Sequence, residues 1–209
     1  MIFKIYNEFN DRFKGFGQVF LAGGCVRDFL MRRDPKDFDV FVINNELFKD
    51  FDNQKQLIKA KLADLIKVEP KVEWHKSEPY LVATVEFEGV EVQILFNPAK
   101  TIEELLSTFD WNVCLFAYGY TGGTIPQFIC GESIENIGAG KDLKLNKLTF
   151  PLSTLRRGFR FSERFLMKLQ KEDLIQITKA YFDKSQANND IGPNGNTPDM
   201  ESLKKNILV

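Results

Sequence analysis

A single histidine, His75, is all the imidazole the 209-residue chain has. That removes most Ser-His-Asp, Cys-His and histidine-zinc schemes, and the polar stretch Lys71 to Ser77 around it reads as an edge strand. Cysteine is nearly as scarce. Cys25, Cys114 and Cys130 are odd in number and no two stand at metal-ligand spacing. A disulfide framework and a zinc site are therefore not indicated, and buried free thiols in a reducing cytoplasm are expected. Surplus charge is missing too. The formal net charge is −1, so any nucleic acid must be held by a local patch rather than by the whole surface. Long apolar runs are absent: nothing approaches the roughly 20 residues that cross a bilayer, so no membrane partner is expected. Met1 to Lys14 mixes acids and bases among its apolar residues, unlike a signal peptide. There is no internal repeat.

What is present is ordinary in bulk, with 44% hydrophobic and 27% charged residues. Phe is over-used, at 20 copies against 5 Tyr and 2 Trp, and most of those rings should be core. Seven of the eight arginines are clustered. Arg27, Arg32 and Arg33 form one group; Arg156, Arg157, Arg160 and Arg164 form another. Arg suits bidentate phosphate recognition, so the two groups hint at two sides of one anion site.

Periodicity divides the chain. Ile2, Phe3, Tyr6, Phe9 and Phe13 fall near helical spacing, and Gly15 and Gly17 end that helix. Gln18–Leu21 reads as a short strand stopped by Gly23-Gly24, Cys25–Arg33 as a helix, and Phe38–Ile43 as a strand. Asn44-Asn45 makes a turn, and Glu46–Lys67 holds one long helix or two short ones. Leu81–Phe87 and Val90–Phe96 form a hairpin across Glu88-Gly89. Thr101 caps a helix through Ser107. Val113–Tyr120 and Thr124–Ile129 read as further strands. From Pro151 onward the texture is helical, with Leu152–Leu169 and Glu172–Phe182 and no strands. Ser185–Met200 is rich in Asn, Gly and Pro. The sum is an α+β fold on one sheet, in residues 1–150, then a helical segment, 151–184, and a flexible tail, 185–209.

The chemistry concentrates between Leu21 and Val42. A strand runs into two glycines and then a helix start, where backbone can approach a phosphate and free N–H groups face it. Arg27, one turn in, can add a clamp. Asp37 and Asp39 flank Phe38 on a strand, so both carboxylates point to one face. Their mutual repulsion favours a bridging cation, and hard oxygen donors suit Mg²⁺ with substrate phosphates. A phosphate cradle followed by a carboxylate pair supplies two halves of a phosphoryl-transfer site. Arg157, Arg160 and Arg164 share one helix face that fits a triphosphate, an RNA backbone or solvent.

The segment Gly23–Val40 resembles the head-domain motif of the tRNA nucleotidyltransferase and bacterial poly(A) polymerase family, within the DNA-polymerase-β-type superfamily. That motif is Gly-Gly-x-Val-Arg-Asp, an apolar helix, then Lys-Asp-x-Asp. The resemblance implies a polymerase-β-like fold, a mixed sheet flanked by helices. It implies nucleotide contacts from Gly24 and Arg27, beside Gly23 of the phosphate cradle, and two Mg²⁺ ions on Asp37 and Asp39. Further on, Phe109–Tyr118 looks like the family's Arg-Arg-Asp-Phe-Thr-Ile-Asn-Ala strand, with Asp110 on its aspartate and Thr108 and Phe109 in place of its arginines. Leu155–Phe161 looks like the helix after the head, which puts Arg157 and Arg160 on the triphosphate. The family's base-choosing aspartate and arginine fall on Pro151 and Thr154.

A third carboxylate is usual in this fold. Glu91, flanked by Val90 and Val92, is the preferred candidate as metal ligand or proton acceptor; Glu86 and Asp110 compete. The expected activity is transfer of NMP from ATP or CTP to an acceptor hydroxyl, an RNA 3′ end first. The family's tRNA-holding domains do not fit in 209 residues, so a minimal relative is expected. A nucleotide-binding pseudoenzyme, or a transferase acting on a protein or small molecule, are the alternatives.

Overall fold

The computed structural model describes residues 1–43, 51–63, 71–75 and 80–187. The Asn44-Asn45 turn, both ends of the Glu46–Lys67 segment and nearly all of the expected tail lie outside the described residues.

Helix α1 (Ile2–Phe13) buries Ile2, Ile5, Tyr6, Phe9 and Phe13, the stripe that the spacing marks. Seven strands form one mixed sheet. They are β1 (Gln18–Ala22), β2 (Asp37–Ile43), β3 (Lys71–His75), β4 (Tyr80–Phe87), β5 (Val90–Phe96), β6 (Phe116–Gly119) and β7 (Gln127–Cys130), in the order β3-β4-β5-β2-β1-β6-β7. Only β2 and β5 run parallel; every other neighbouring pair is antiparallel. His75 thus lies in the outer strand, separated from β2 by β4 and β5.

Strand alternation sorts side chains into two cores. Leu21, Phe38, Val40, Val92, Ile94 and Phe96 pack with Phe9 and Phe13 of α1 and with Ile58 and Leu62 of α3 (Phe51–Leu62). The opposite face gathers Phe20, Ala22, Phe41 and Ile43 under Ile102, Leu105 and Leu106 of α4 (Ile102–Ser107). Asp37 and Asp39 share that second face with Phe41 and Ile43, because they stand at i, i+2, i+4 and i+6. The Thr101 hydroxyl caps α4 by accepting from the Glu104 amide.

Helix α2 (Gly24–Leu30) ends three residues short of Arg33. Arg32 turns to φ 55° and the Arg33 amide donates back to the Asp28 carbonyl, closing the helix ahead of Pro35. The expected strand from Val113 starts only at Phe116. Asn112–Cys114 form a single 3-10 turn, because the Asn112 amide donates to the Lys144 carbonyl instead of to a neighbouring strand. The strand expected over 124–129 is confined to 127–130.

Helix α5 (Pro151–Phe165) closes on left-handed Leu166. A two-residue strand then follows, contrary to the all-helical reading: β9 (Lys168–Leu169) pairs with β8 (Asp142–Leu143). Helix α6 (Lys171–Ala187) comes last. Not all the thiols are buried, since Cys130 is exposed on edge strand β7. No helix among the described residues is long and apolar enough to cross a membrane.

Candidate functional site

The turn between β1 and α2 is held at Gly23, whose φ of 81° and ψ of −135° no side-chain-bearing residue adopts without strain. Its amide donates to the Phe116 carbonyl at 2.7 Å, tying the turn to β6. A Cβ placed on Gly23 would lie 3.9 Å from Asp39 Oδ2 and 3.8 Å from Phe109 Cε2. The glycine turn and the second aspartate, 16 positions apart in sequence, are therefore neighbours in space.

Asp37 is exposed and Asp39 half-buried. Burial pushes the Asp39 carboxyl up to about 7; the charge of Asp37 adds to the rise, Arg157 opposes it and Glu91 adds again. The same groups that would hold a cation thus repel one another without one. Strand pairing sets Glu91 beside Asp37, Glu86 beside Glu91, and Gln93 beside Asp39. Glu91 is exposed, and its Oε1 accepts from Gln93 Nε2 at 2.9 Å. Among the described residues, no group of three or more His, Cys, Asp or Glu side chains is gathered closely enough to hold a metal. The carboxylates that could hold a metal here are those of Asp37 and Asp39. Two hard carboxylates on one strand face suit Mg²⁺, which keeps water and phosphate oxygens as its remaining ligands.

Across from the acids stands α5. Arg157 Nη2 lies 2.5 Å from Asp110 Oδ2, and the Thr154 side chain also hydrogen-bonds that carboxylate. Asp110 is thereby held within an internal ion pair. Burial still leaves its carboxyl above the usual range, with Arg157 and Thr154 pulling against the rise. Arg160, one turn further along, is exposed. Cys25 and Cys114 sit under this region. Burial pushes both thiols up to about 12, with Asp39 adding to the rise at Cys25 and Asp110 at Cys114. Such thiols are inert as nucleophiles.

The resemblance implies a triphosphate contact for Arg27. In the structure its guanidinium is enclosed: the residue is 2% exposed, Nε and Nη2 donate to Asp28 Oδ1 at 2.9 and 2.8 Å, and Nη1 donates to the Val113 carbonyl at 3.3 Å. Gly24 leaves it room, since a Cβ there would lie 3.4 Å from Arg27 Nη2. Gly23, Gly24, Asp39, Arg157 and Asp110 are brought together around the start of α2, Asp37 joins through Asp39, and Glu91 stands at the rim.

Two residues near the site escape a reading of the sequence alone. Phe109 presses its ring beside Gly23 and onto Phe41, with centroids 5.6 Å apart; its only signal was an aromatic residue where the resembling motif has arginine. Asp28, 4% exposed, binds arginines from two helices; it closes the Gly-Gly-x-Val-Arg-Asp motif, but the sequence assigned it no role.

Comparison with solved structures gives the fold. A tRNA-processing enzyme in its apo form I superposes with a TM-score of 0.58 at 17% identity, covering 88% of this chain and 47% of that one. A CCA-adding enzyme in complex with ATP gives 0.57 at 16% identity, covering 92% of this chain and 44% of that one. The Thermotoga maritima CCA-adding enzyme with tRNA gives 0.57 at 18%, over 86% and 42%. The chain thus spans less than half the length of these structures, and shares with them the polymerase-β-like nucleotidyltransferase architecture. No curated protein matches its sequence. The sequence profile of the Gabija anti-defense 2 family protein matches residues 1–172, which take in the glycine turn, the aspartate pair and helix α5. The chain belongs to the Gabija anti-defense 2 family.

Proposed function

We propose that this chain is a magnesium-dependent nucleotidyltransferase that moves NMP from an NTP, ATP or CTP, to an acceptor hydroxyl. The observation that carries the reading is the placing of the Asp39 carboxylate against the Gly23 turn, with Asp37 on the same strand face. Residues 1–150 act as the head that holds the reacting groups, and residues 151–184 as a helical segment that brings arginines to it.

The roles follow from the positions. The Gly23-Gly24 backbone receives the triphosphate. Arg157 and Arg160 neutralise it from α5. Asp37 and Asp39 would hold two Mg²⁺ ions, which when bound would supply Lewis-acid stabilisation of the phosphates and lower the pKa of the acceptor hydroxyl. Glu91, beside Asp37 in the register, can accept the hydroxyl proton once it releases Gln93.

The acceptor is the finer question. The motif resemblance and a fold shared with tRNA-bound enzymes support an RNA 3′ end. The family's name favours a second reading, in which the acceptor is a protein or small molecule of the defence that the family opposes.

The test is transfer of label from α-labelled ATP or CTP in Mg²⁺ to short RNA, to protein and to small-molecule hydroxyls, with pyrophosphate release measured in parallel. Asp37→Ala and Asp39→Ala should each lower the rate at least about 100-fold, and EDTA should abolish it. Turnover that survives either substitution, or that ignores EDTA, contradicts the assignment. ATP binding without turnover would mark a pseudoenzyme.

A further inference from the structure

We infer that Arg27 and Asp28 form a clamp that positions the arginines of helix α5, and that Arg27 does not touch the nucleotide. The inference rests on the transferase reading for its kinetic consequence, but its geometry stands apart from it.

Asp28 is the centre. Both carboxylate oxygens are engaged: Oδ1 accepts from Arg27 Nε and Nη2, and Oδ2 accepts from Arg164 Nη2 at 2.8 Å. Arg27 and Asp28 belong to α2, which begins at the glycine turn; Arg164 belongs to the last turn of α5. One buried carboxylate therefore joins two helices across 136 positions of sequence.

Phe165 lies among the arginines. The guanidinium carbons of Arg27, Arg33 and Arg164 stand 4.8, 5.1 and 5.3 Å from its ring centroid, and Phe161 receives Arg27 at 5.4 Å. Arg27 thus meets a carboxylate, a carbonyl and two aromatic faces at once. Swinging it out to a triphosphate would strip Asp28 of a partner in a buried setting, which is costly.

The clamp also has reach. Arg164 stands seven positions after Arg157 and four after Arg160, so all three lie on one side of a rigid helix. The Arg157 end spans about 10 Å of helix axis from the clamp, at about 1.5 Å per residue. Fixing Arg164 sets both the rotation of α5 and its slide. That decides whether Arg157 reaches Asp110 and spreads its charge to Asp39. Arg27 and Asp28 are positioning residues in this scheme.

The experiment uses the full chain and three variants: Arg27→Met, which keeps bulk; Asp28→Asn, which keeps shape; and Arg164→Ala, which removes the half-exposed end and leaves the buried pair intact. Each should lower kcat about tenfold or more with the KM for NTP within about threefold, whereas Arg160→Ala should raise KM. Arg164→Lys should recover part of the loss. Arg27→Met that raises KM about tenfold at unchanged kcat would make Arg27 a ligand and overturn the clamp.

A second readout needs no nucleotide. Burial shields the Cys114 thiol, and the charges of Asp110, Arg27 and Arg157 act on it, so its alkylation in the native protein, followed apart from that of exposed Cys130, reports displacement of α5. Arg164→Ala should accelerate it about tenfold over wild type, in the range that local opening gives; an unchanged rate overturns the clamp. Wild-type protein that transfers no NMP while Cys114 still responds would sink the transferase reading and leave the clamp standing.

Discussion

At the scale of single residues, charge and burial decide what each group can do. Glu132 shows this away from the site. Burial would raise its carboxyl, yet donation from Asn136, Asn112 and the Ser133 amide outweighs that and holds it below the usual carboxylate range. A depressed carboxylate adds stability above its unfolded pKa and loses it as pH falls through the folded one. The melting-temperature gap between wild type and Glu132→Gln should therefore be widest near pH about 7 and close towards pH about 3. A gap that stays constant over that range would show that the ionised form is not what the three donors hold. Asp37 and Asp39 were legible at this scale, because alternation along a strand is a property of the chain itself. The roles of Asp28 and Phe109 were not, because Arg164 and the Gly23 turn that they meet lie on segments distant in sequence.

Among elements, α5 is fitted closely against Trp111. Trp111 is fully buried, and its Nε1 donates to the Thr154 carbonyl at 2.9 Å. Gly158, one turn on, lies against the same ring; a Cβ there would come within 2.5 Å of Trp111 Cζ2. A glycine inside a helix normally costs stability, so close approach is the reason it stands here. Gly158→Ala should destabilise by about 1–3 kcal/mol despite its better helix propensity. Thermal unfolding would read this as a melting point lower by several degrees, at roughly 2–4 °C per kcal/mol; a higher melting point would mean that the ring moves aside freely. Most elements were readable from periodicity, α1 and the β4–β5 hairpin above all. The ends were less so. The close of α2 depends on Arg32 turning left-handed, and the late start of β6 depends on Asn112 pairing with Lys144.

Across the whole molecule, the helical segment and the sheet share one core. Leu155, Phe161 and Phe165 of α5 and Ile177 of α6 belong to the cluster that contains Phe38, Val40 and Trp111. Residues 1–150 alone would expose much of that surface, so the fragment should bind hydrophobic dye and lose the cooperative melt of the full chain. A sharp melt of the fragment would instead make the head an independent unit.

The sequence by itself determined the class of the fold, the glycine turn and the pairing of Asp37 with Asp39. Each follows from φ preference or from side-chain alternation over a few residues. The tertiary structure alone decided that Glu91 lies beside Asp37, that Asp110 pairs with Arg157 and that Arg27 is enclosed. Those outcomes depend on strand register and on how α5 folds back. Packing between distant segments sets both, and no short stretch of chain encodes it.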